Sequence, residues 1–228
     1  MLWWETTSDK SFGSTDPENG TAISTWYDIN PTSTYKINAT QNTSANQPVY
    51  TTNCANMLPC LRFTNANSSY FSYDGSFLIG TDYTVIVVEQ RRTTTSGNYF
   101  LSGNSATTNG NLVLGYRTNF RVTFAQYNND ADLIVTGYSS PIPWIHVFKL
   151  SSTSGKTYYL NGATDTTGSA QTQQLVSYAS PYVGRSNVTN FYYEGDLCEI
   201  IMFSRAITNE ERDSIEEYLG KKWRIRVL

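Results

Sequence analysis

Short runs of alternating or continuous apolar residues recur along most of the chain. Phe120, Val122 and Phe124 alternate with polar or small residues, which is the period-two pattern of a strand with one buried face. The segment Thr84–Glu89 holds a continuous Val and Ile run, as expected for a strand covered on both sides. Further strands are predicted at Ser69–Tyr73, Leu112–Tyr116, Trp144–Leu150, Lys156–Leu160 and Leu197–Phe203.

Turn residues separate these predicted strands. Pairs such as Asp74-Gly75, Asn109-Gly110 and Asn161-Gly162 favour tight turns, because Asn and Gly tolerate positive φ. Many short strands without intervening helices predict an all-β protein, a two-sheet antiparallel jelly-roll sandwich, rather than a βα fold. Since we find neither an internal repeat nor a linker, we expect one domain over residues 1–228.

The end of the chain departs from this pattern and predicts one C-terminal α-helix over about residues 208–223. Thr208 and Glu211 have the spacing of a capping box. Acidic residues come early in the segment and basic residues late, which suits the helix dipole. Ile215, Tyr218, Leu219 and Trp223 recur at helical spacing, so we expect them to form one stripe that packs on the sandwich.

Composition narrows the class of protein further. Only 15% of the 228 residues are charged, and 16 Lys and Arg stand against 19 Asp and Glu. This balance argues against nucleic acid as a partner, since binding to phosphates requires a basic excess. The longest apolar runs are a handful of residues, too short to span a membrane. The polar surface is built from Thr, Ser and Asn, which is consistent with an extracellular, cell-surface or virion-surface protein.

Cysteine and histidine are scarce. The single histidine, His146, and the lack of a CxxC pair exclude a Cys/His zinc site. Cys54 and Cys60 are close enough in sequence to form a disulfide in an oxidising compartment, but two free thiols are an equal alternative. Cys198 lies in an apolar strand, so we expect it to be a buried small hydrophobe. His146 follows Trp144 in a strand and is expected to be a hydrogen-bonded framework residue.

The order of segments resembles the concanavalin A-like lectin/glucanase superfamily, specifically its laminin G-like (LamG, pentraxin-type) jelly rolls. The resemblance covers nearly the whole chain and is carried by the following segments: Leu2–Trp4, Trp26–Asp28, Leu58–Phe63, Tyr83–Val88, Trp144–Val147, Tyr158–Gly162, Val183–Gly184, Tyr193–Leu197, Glu199–Phe203 and Arg205–Thr208. It implies the sandwich fold, and it implies carbohydrate or protein ligands held on the concave sheet or the rim loops, often beside calcium. The fold hosts many activities, so function depends on the site.

Tyrosines with polar neighbours are the candidate ligand-binding residues. Sugars offer C–H faces and hydroxyls, which stack on aromatic rings and hydrogen-bond to Asn, Asp and Arg. Tyr also provides contact area at small entropic cost. The 17 tyrosines include several in such surroundings, and the candidate set is Tyr116, Arg117, Tyr127, Asn128, Asn129, Tyr182, Arg185 and Tyr192.

Calcium is the one candidate cofactor. Residues 128–132 form the densest cluster of side-chain oxygens, with Asp130 and Asp132 as the candidate ligands. The segment lacks the Gly and the final Glu of an EF-hand loop. A solvated acidic turn is the competing interpretation.

Glu194, Asp196 and Glu199 spell E-x-D-x-x-E, which resembles the catalytic strand of the superfamily's retaining glucanases. Because side chains alternate on a strand, only a bulge between Asp196 and Glu199 would bring all three together. We expect a structural role instead. On this view Glu199 shares a face with Leu197, Ile201 and Phe203 and pairs with Arg205 or Arg185, whereas Glu194 is exposed.

These observations predict a non-catalytic extracellular recognition module that binds glycans or a cell-surface polymer. Two alternatives stay open. One is a structural or adhesive subunit of a surface fibre, pilus or phage particle, with a neighbouring protein subunit as its partner. The other is a retaining glycoside hydrolase that uses Glu194, Asp196 and Glu199.

Overall fold

A computed structural model describes residues 1–134, 141–169, 171–186 and 191–228, without the side chains of 132–134 and 164–169. The described strands are β1 Leu2–Glu5, β2 Thr25–Trp26, β3 Ala39–Thr40, β4 Val49–Thr51, β5 Cys60–Phe63, β6 Phe71–Ser72, β7 Tyr83–Arg91, β8 Asn98–Ser102, β9 Leu112–Thr118, β10 Arg121–Gln126, β11 Asn129–Ile134, β12 Pro143–Ser151, β13 Gly155–Leu160, β14 Ala163–Ser169, β15 Tyr182–Val183 and β16 Gly195–Phe203. Helix α1 spans Asn209–Trp223, and short 3₁₀ helices span Asp9–Phe12, Ser44–Asn46, Ala55–Met57 and Ser76–Leu78.

The strands form two antiparallel sheets. The first sheet has the order β14-β13-β12-β7-β16-β5-β4, and β1 also pairs with β16. The second sheet has the order β11-β10-β9-β8-β15-β6-β3-β2. Apolar side chains from both sheets fill one buried core between them, as in a face-to-face sandwich. This arrangement with its terminal helix confirms the predicted jelly-roll class.

Strand β7 shows how the sequence pattern produces two layers of core. Val85 and Val87 belong to the core between the sheets, whereas Ile86 and Val88 belong to a second core on the outer face of the first sheet. The continuous apolar run therefore covers both sides of the strand, as predicted. The prediction for Phe120 is wrong, since it lies in the turn before β10 and is exposed.

Helix α1 closes the outer face of the first sheet. Its capping box is confirmed, because Glu211 N donates to Thr208 Oγ1 and Thr208 N donates to the Glu211 carboxylate. Leu219 and Trp223 are buried in the outer core. The predicted stripe is narrower than expected, since Tyr218 is 44% exposed and contacts the edge of Trp3.

Strand β16 contains a bulge at Cys198. The pairing register with β7 shifts between Leu197 and Glu199. Leu197 and Ile200 consequently point into the inter-sheet core, whereas Cys198 and Ile201 face the outer core. The expectation that Glu199 shares a face with Leu197 is therefore wrong, because the extra residue places Cys198 and Glu199 on one side.

The loop before β5 is closed by a disulfide between Cys54 and Cys60, whose Cα atoms are 5.9 Å apart. This result selects one of the two alternatives left open by the sequence. Cys198 is free and buried, as predicted. Burial, followed by nearby carboxylates, raises the pKa of its thiol well above the usual value.

Candidate functional site

The outer face of the second sheet carries a polar, aromatic groove. Side chains alternate along β9, so Leu112 and Leu114 enter the core while Val113 between them is half-exposed. An open groove of about 240 Å³ lies over this face. Its lining comprises Tyr99, Asn111, Val113, Arg117, Ala125, Tyr127, Asn128, Asp130 and Ser186, and we call it the sheet groove.

Arg117 and Asp130 form an ion pair in the sheet groove. Arg117 Nη2 donates to Asp130 Oδ2 at 2.6 Å, and the two side chains are 37% and 38% exposed. An ion pair this exposed contributes little to stability, because water screens it. It does hold a guanidinium and a carboxylate in defined positions, where they can exchange hydrogen bonds with a polar ligand.

The turn between β10 and β11 supplies the end of the groove. Asn128 adopts φ of 60° and is exposed, which suits the tip of a two-residue hairpin. Tyr127 N donates to Asn111 O at 3.0 Å, which anchors the half-exposed tyrosine. Asn129 is instead 8% exposed and donates to Asn109 Oδ1 at 2.8 Å, so the structure places it beneath the turn rather than in the groove.

A second group of candidate residues meets around one arginine. The Cζ atom of Arg185 lies 4.8 Å from the ring centroid of Tyr70, 4.9 Å from that of Tyr182 and 5.7 Å from that of Tyr192. We call these four half-buried residues the tyrosine–arginine cluster. Cation–π attraction of this kind stabilises the arrangement of ring and guanidinium.

The sheet groove and the tyrosine–arginine cluster adjoin each other. Gly184 N donates to Phe100 O at 2.9 Å, so the chain beyond β15 continues alongside β8. Ser186, the neighbour of Arg185, lines the sheet groove. Beyond the cluster, Tyr192 also lines a further open depression of about 480 Å³. Ligand-accessible polar and aromatic groups therefore continue from one site to the next.

Gly115 permits the close packing of β8 on β9 beneath the groove. Its φ is +144°, and a Cβ atom there would lie 2.5 Å from the Cα of Tyr99. Any side chain at this position would push the two strands apart. Tyr99 and Tyr70 are not in the predicted set, although Asn98 and Ser69 stand beside them in the sequence.

Tyr116 does not belong to the candidate surface, which corrects the prediction. It is 1% exposed, and its hydroxyl donates to Glu89 Oε1 at 2.5 Å. The period-two alternation places it in the core, on the opposite face from Arg117. Arg91 lies over its ring, with Cζ 4.2 Å from the centroid.

The core partner of Tyr116 is a buried network around Glu89 and His146. His146 Nε2 lies 2.9 Å from Glu89 Oε1, and His146 Nδ1 lies 2.8 Å from the Tyr158 hydroxyl. Tyr193 donates its hydroxyl proton to the other Glu89 oxygen. Burial, followed by the charge of Glu89, raises the pKa of Tyr193 well above the usual value. The framework role predicted for His146 is confirmed, since buried polar groups require such partners.

The E-x-D-x-x-E carboxylates are engaged in separate structural contacts. Asp196 is buried and accepts from Arg62 Nε at 2.7 Å and from Arg62 Nη2 at 3.0 Å. Arg92 Nη1 lies 3.6 Å from Asp196 Oδ2, the oxygen that accepts from Arg62 Nη2. Glu194 accepts from the backbone N–H of Asn65 at 2.7 Å and is half-buried rather than exposed as expected.

Glu199 is 1% exposed beneath the last turn of α1. Its carboxylate accepts from Trp3 Nε1 at 2.7 Å, Lys222 Nζ at 2.9 Å and Trp223 Nε1 at 2.9 Å. The predicted partners Arg205 and Arg185 are therefore wrong. Arg205 instead pairs with Glu211, because the helix start brings those two together. Burial raises the pKa of Glu199, although the charge of Lys222 opposes the shift.

Of the two predicted calcium ligands, Asp130 and Asp132, the structure describes the side chain of Asp130 alone. Asp130 already has a guanidinium 2.6 Å from its carboxylate oxygen, which opposes a second cation. The side chain of Asp132 lies outside the described residues. The donors described here do not by themselves fit calcium, which takes six to eight oxygens. Calcium binding stays a prediction.

Among the described residues, we find no helix that is both long and apolar enough to cross a membrane.

Comparison with known families identifies the class of protein. The Laminin_G_3 family, described as the concanavalin A-like lectin/glucanases superfamily, matches residues 64–211, well over half of the chain. The chain therefore belongs to the Laminin_G_3 family of that superfamily. No curated protein matches the sequence.

Two solved structures illustrate the shared fold. Trypanosoma rangeli sialidase in complex with sialic acid has a TM-score of 0.59 and 11% identity over 97% of this chain. The match spans only 33% of the sialidase chain. Domain 4 of AbnA, a GH43 extracellular arabinanase from Geobacillus stearothermophilus in complex with arabinotriose, has a TM-score of 0.62 and 12% identity. That match covers 87% of this chain and 100% of the other. Both similarities concern the fold.

Proposed function

We propose that this chain is a non-catalytic glycan-binding module, acting outside the cell, on a cell surface or on a virion. The observation that carries the proposal is the continuity of the sheet groove with the tyrosine–arginine cluster. Together they present tyrosine rings beside hydrogen-bonding groups over one face of the second sheet.

The chemistry of the face suits a sugar. The rings of Tyr99 and Tyr127 can stack on the C–H faces of a pyranose, which aromatic side chains bind well. Arg117 donates hydrogen bonds, and Asp130 accepts them, so ring hydroxyls in either role find partners. Membership of a superfamily of lectins and glucanases supports the same class of ligand. Domain 4 of AbnA, which shares the fold, is complexed with arabinotriose.

The placement of Glu199 supports a non-catalytic role. Retaining hydrolysis requires two carboxyl groups about 5–5.5 Å apart, on either side of the scissile bond. The bulge in β16 lies where a catalytic arrangement would need it, but it places Glu199 on the outer face of the first sheet, where α1 covers the carboxylate. Asp196 is bound by Arg62. Neither carboxylate is open to a polysaccharide in this arrangement.

The disulfide fits the proposed location. Disulfides persist in oxidising surroundings, such as the outside of a cell or the surface of a virion. The bond between Cys54 and Cys60 would be reduced in most cytosols.

A glycan panel tests the proposed function. We expect saturable binding of at least one glycan at micromolar to millimolar concentration, with affinity reduced about fivefold to tenfold in Tyr99→Ala and Tyr127→Ala. Tyr218→Ala is the control, since Tyr218 is also accessible to solvent but lies on α1 across the sandwich.

Three results would contradict the proposal. If no glycan of the panel binds, either with or without calcium, the proposal is overturned. Self-assembly or capture of a neighbouring protein under the same conditions would favour the structural-subunit alternative. Hydrolysis of a glycan by the wild type that disappears in Glu194→Gln would show an enzyme.

A further inference from the structure

Strand register aligns the outward-facing residues of the second sheet in one row. A row of paired residues points into the inter-sheet core, and its members are Ala131, Phe124, Leu114, Leu101, Val183 and Phe71. Because side chains alternate along each strand, the adjacent row faces away from the core. This second row, which we call the outer row, comprises Asp130, Ala125, Val113, Ser102, Tyr182 and Ser72.

The outer row is long enough for several sugar units. It crosses the strands in the order β11-β10-β9-β8-β15-β6. Five steps between neighbouring strands, each about 4.8 Å, give a length of about 24 Å. One unit of an extended oligosaccharide adds about the length of one such step, so the row has room for about five units. The sheet groove occupies one end of the row, since Asp130, Ala125 and Val113 line that groove.

The outer row is polar, and both of its described ends are accessible. Asp130 at one end has a side chain that is 38% exposed, and Ser72 at the other end is half-buried. Thr40, which pairs with Ser72 on the next strand, is exposed. Between the ends, Ala125 and Ser102 are small and buried, which keeps the floor of the row low. Hydroxyl groups both donate and accept hydrogen bonds, so the row suits a ligand that presents hydroxyls along its whole length.

We propose that the outer row binds an internal stretch of a linear glycan, about five units long, which runs across the strands. This inference rests on the proposed glycan-binding function and names the class of glycan, a linear chain rather than a single sugar or a branched end group. The first units lie in the sheet groove, where Tyr127 offers a surface for stacking. Later units lie beside Tyr182 and Ser72 and hydrogen-bond to their hydroxyl groups. Since both ends of the row are accessible, the chain continues past them, and its own ends contribute nothing to binding.

A series of ligands of increasing chain length tests this proposal. The probes are cello-, xylo-, manno- and α-1,5-arabino-oligosaccharides of one to six units, and their affinity is measured by calorimetry. In a series that binds, we expect affinity to increase about threefold with each unit from two to five, or about thirtyfold in total. The sixth unit should add little, because it extends beyond the row. Reduction of the terminal unit of the six-unit ligand to its alditol should change the affinity by less than about twofold.

Variants at the two ends of the outer row separate its parts. Ser72→Trp places a large ring over the end beyond the sheet groove. It should weaken binding of the five-unit ligand about fivefold to tenfold and leave binding of the two-unit ligand unchanged. Tyr127→Ala alters the sheet groove and should weaken both ligands by the same factor. Ser152→Trp is the matched control, since Ser152 is exposed in the turn between β12 and β13 of the first sheet. If the melting temperature shows that Ser72→Trp is unfolded, Thr40→Trp tests the same end of the row.

The outcomes separate the outer row from the general function. Equal wild-type affinity for two and five units overturns the outer row as the site, as does an unchanged five-unit affinity in the folded variant at its far end. Binding of single sugars or branched glycans alone also overturns it, while the glycan-binding function stands. Binding of no glycan at all overturns both proposals.

Discussion

Glu199 Oε2 lies 2.9 Å from Lys222 Nζ, and this contact joins the bulged strand β16 to the last turn of α1. Lys222 also lies 2.9 Å from Glu5, so one ammonium group connects the first strand, the last strand and the helix. Two indole N–H groups complete the hydrogen bonds of Glu199. The carboxylate that resembles a catalytic residue in sequence is a junction between both ends of the chain.

Glu199→Gln should lower stability because it removes one of the two carboxylates that compensate Lys222. Breaking a buried pair typically costs about 3–5 kcal/mol. Since Glu5 stays in contact, we expect about 2–3 kcal/mol here, or a melting temperature lower by roughly 5–10 °C. Glu194→Gln is the control, because its carboxylate accepts from a backbone amide near the surface and should have a small effect. Equal melting temperatures for Glu199→Gln and the wild type would contradict the inferred junction.

Lys156 should make the protein more stable as the pH rises above neutrality. Burial lowers the pKa of Lys156 from 10.5 to about 8, although the charge of Asp130 opposes the shift. Between these values the unfolded chain retains a proton that the folded protein has lost, so the free energy of unfolding increases with pH. From about pH 7.5 to pH 9.5 we expect Lys156 to contribute a gain of about 2 kcal/mol, measured by chemical denaturation as the difference between the wild type and Lys156→Met. The comparison is needed because the Cys198 thiol, which the folded protein keeps protonated, lowers the stability of both proteins over this range.

Lys156→Met is the control for this pH effect, since it lacks the titrating group, and its stability should not rise over the same range. Above about pH 10 the trend should reverse. Burial raises the pKa values of Tyr73, Tyr83 and Tyr193, so the folded protein then keeps protons that the unfolded chain loses. A stability difference between the wild type and Lys156→Met that stays constant from pH 7.5 to 9.5 would mean that the ammonium of Lys156 is not destabilised by burial.

The disulfide between Cys54 and Cys60 should contribute modestly to stability. It closes a short loop, and the loop-entropy model gives about 2 kcal/mol for a closure of this size. The double variant Cys54→Ser/Cys60→Ser should therefore have a free energy of unfolding that is lower by that amount, measured by chemical denaturation. Non-reducing peptide mass spectrometry should show a linked 54–60 peptide.

Alkylation provides an independent check on the three cysteines. The native protein should react slowly, because burial raises the pKa of Cys198 well above its usual value and keeps the thiol protonated. After unfolding without reductant, a single thiol should react. Three reactive thiols in the unfolded protein would show that the disulfide is absent.

Elements with strong local signals were predicted well. The continuous apolar run in β7 and the capping box of α1 depend on neighbours within a few residues. The two wrong predictions, a strand position for Phe120 and a surface position for Tyr116, are also explained by the local structure around each residue. A turn begins just before β10, and alternation along β9 directs Tyr116 into the core while Arg117 faces outward.

The candidate site required long-range information. Tyr70 and Tyr182 are more than a hundred residues apart, yet their ring centroids are 5.4 Å apart because β6 pairs with β15. Tyr70 and Arg185 are similarly distant in sequence, so no local pattern indicates that the guanidinium lies over the Tyr70 ring. Pairing between distant strands determines which tyrosines share a surface.

By itself the sequence determined the class of fold and the terminal helix, because periodicity and capping are local properties. Only the tertiary structure decided which residues meet. One inserted residue at Cys198 moved Glu199 beneath α1, and two remote strands placed Tyr70 against Arg185. Both results arise from strand register, which depends on contacts between distant parts of the chain. A shift of the register by one residue moves every side chain of the strand to the other face of the sheet.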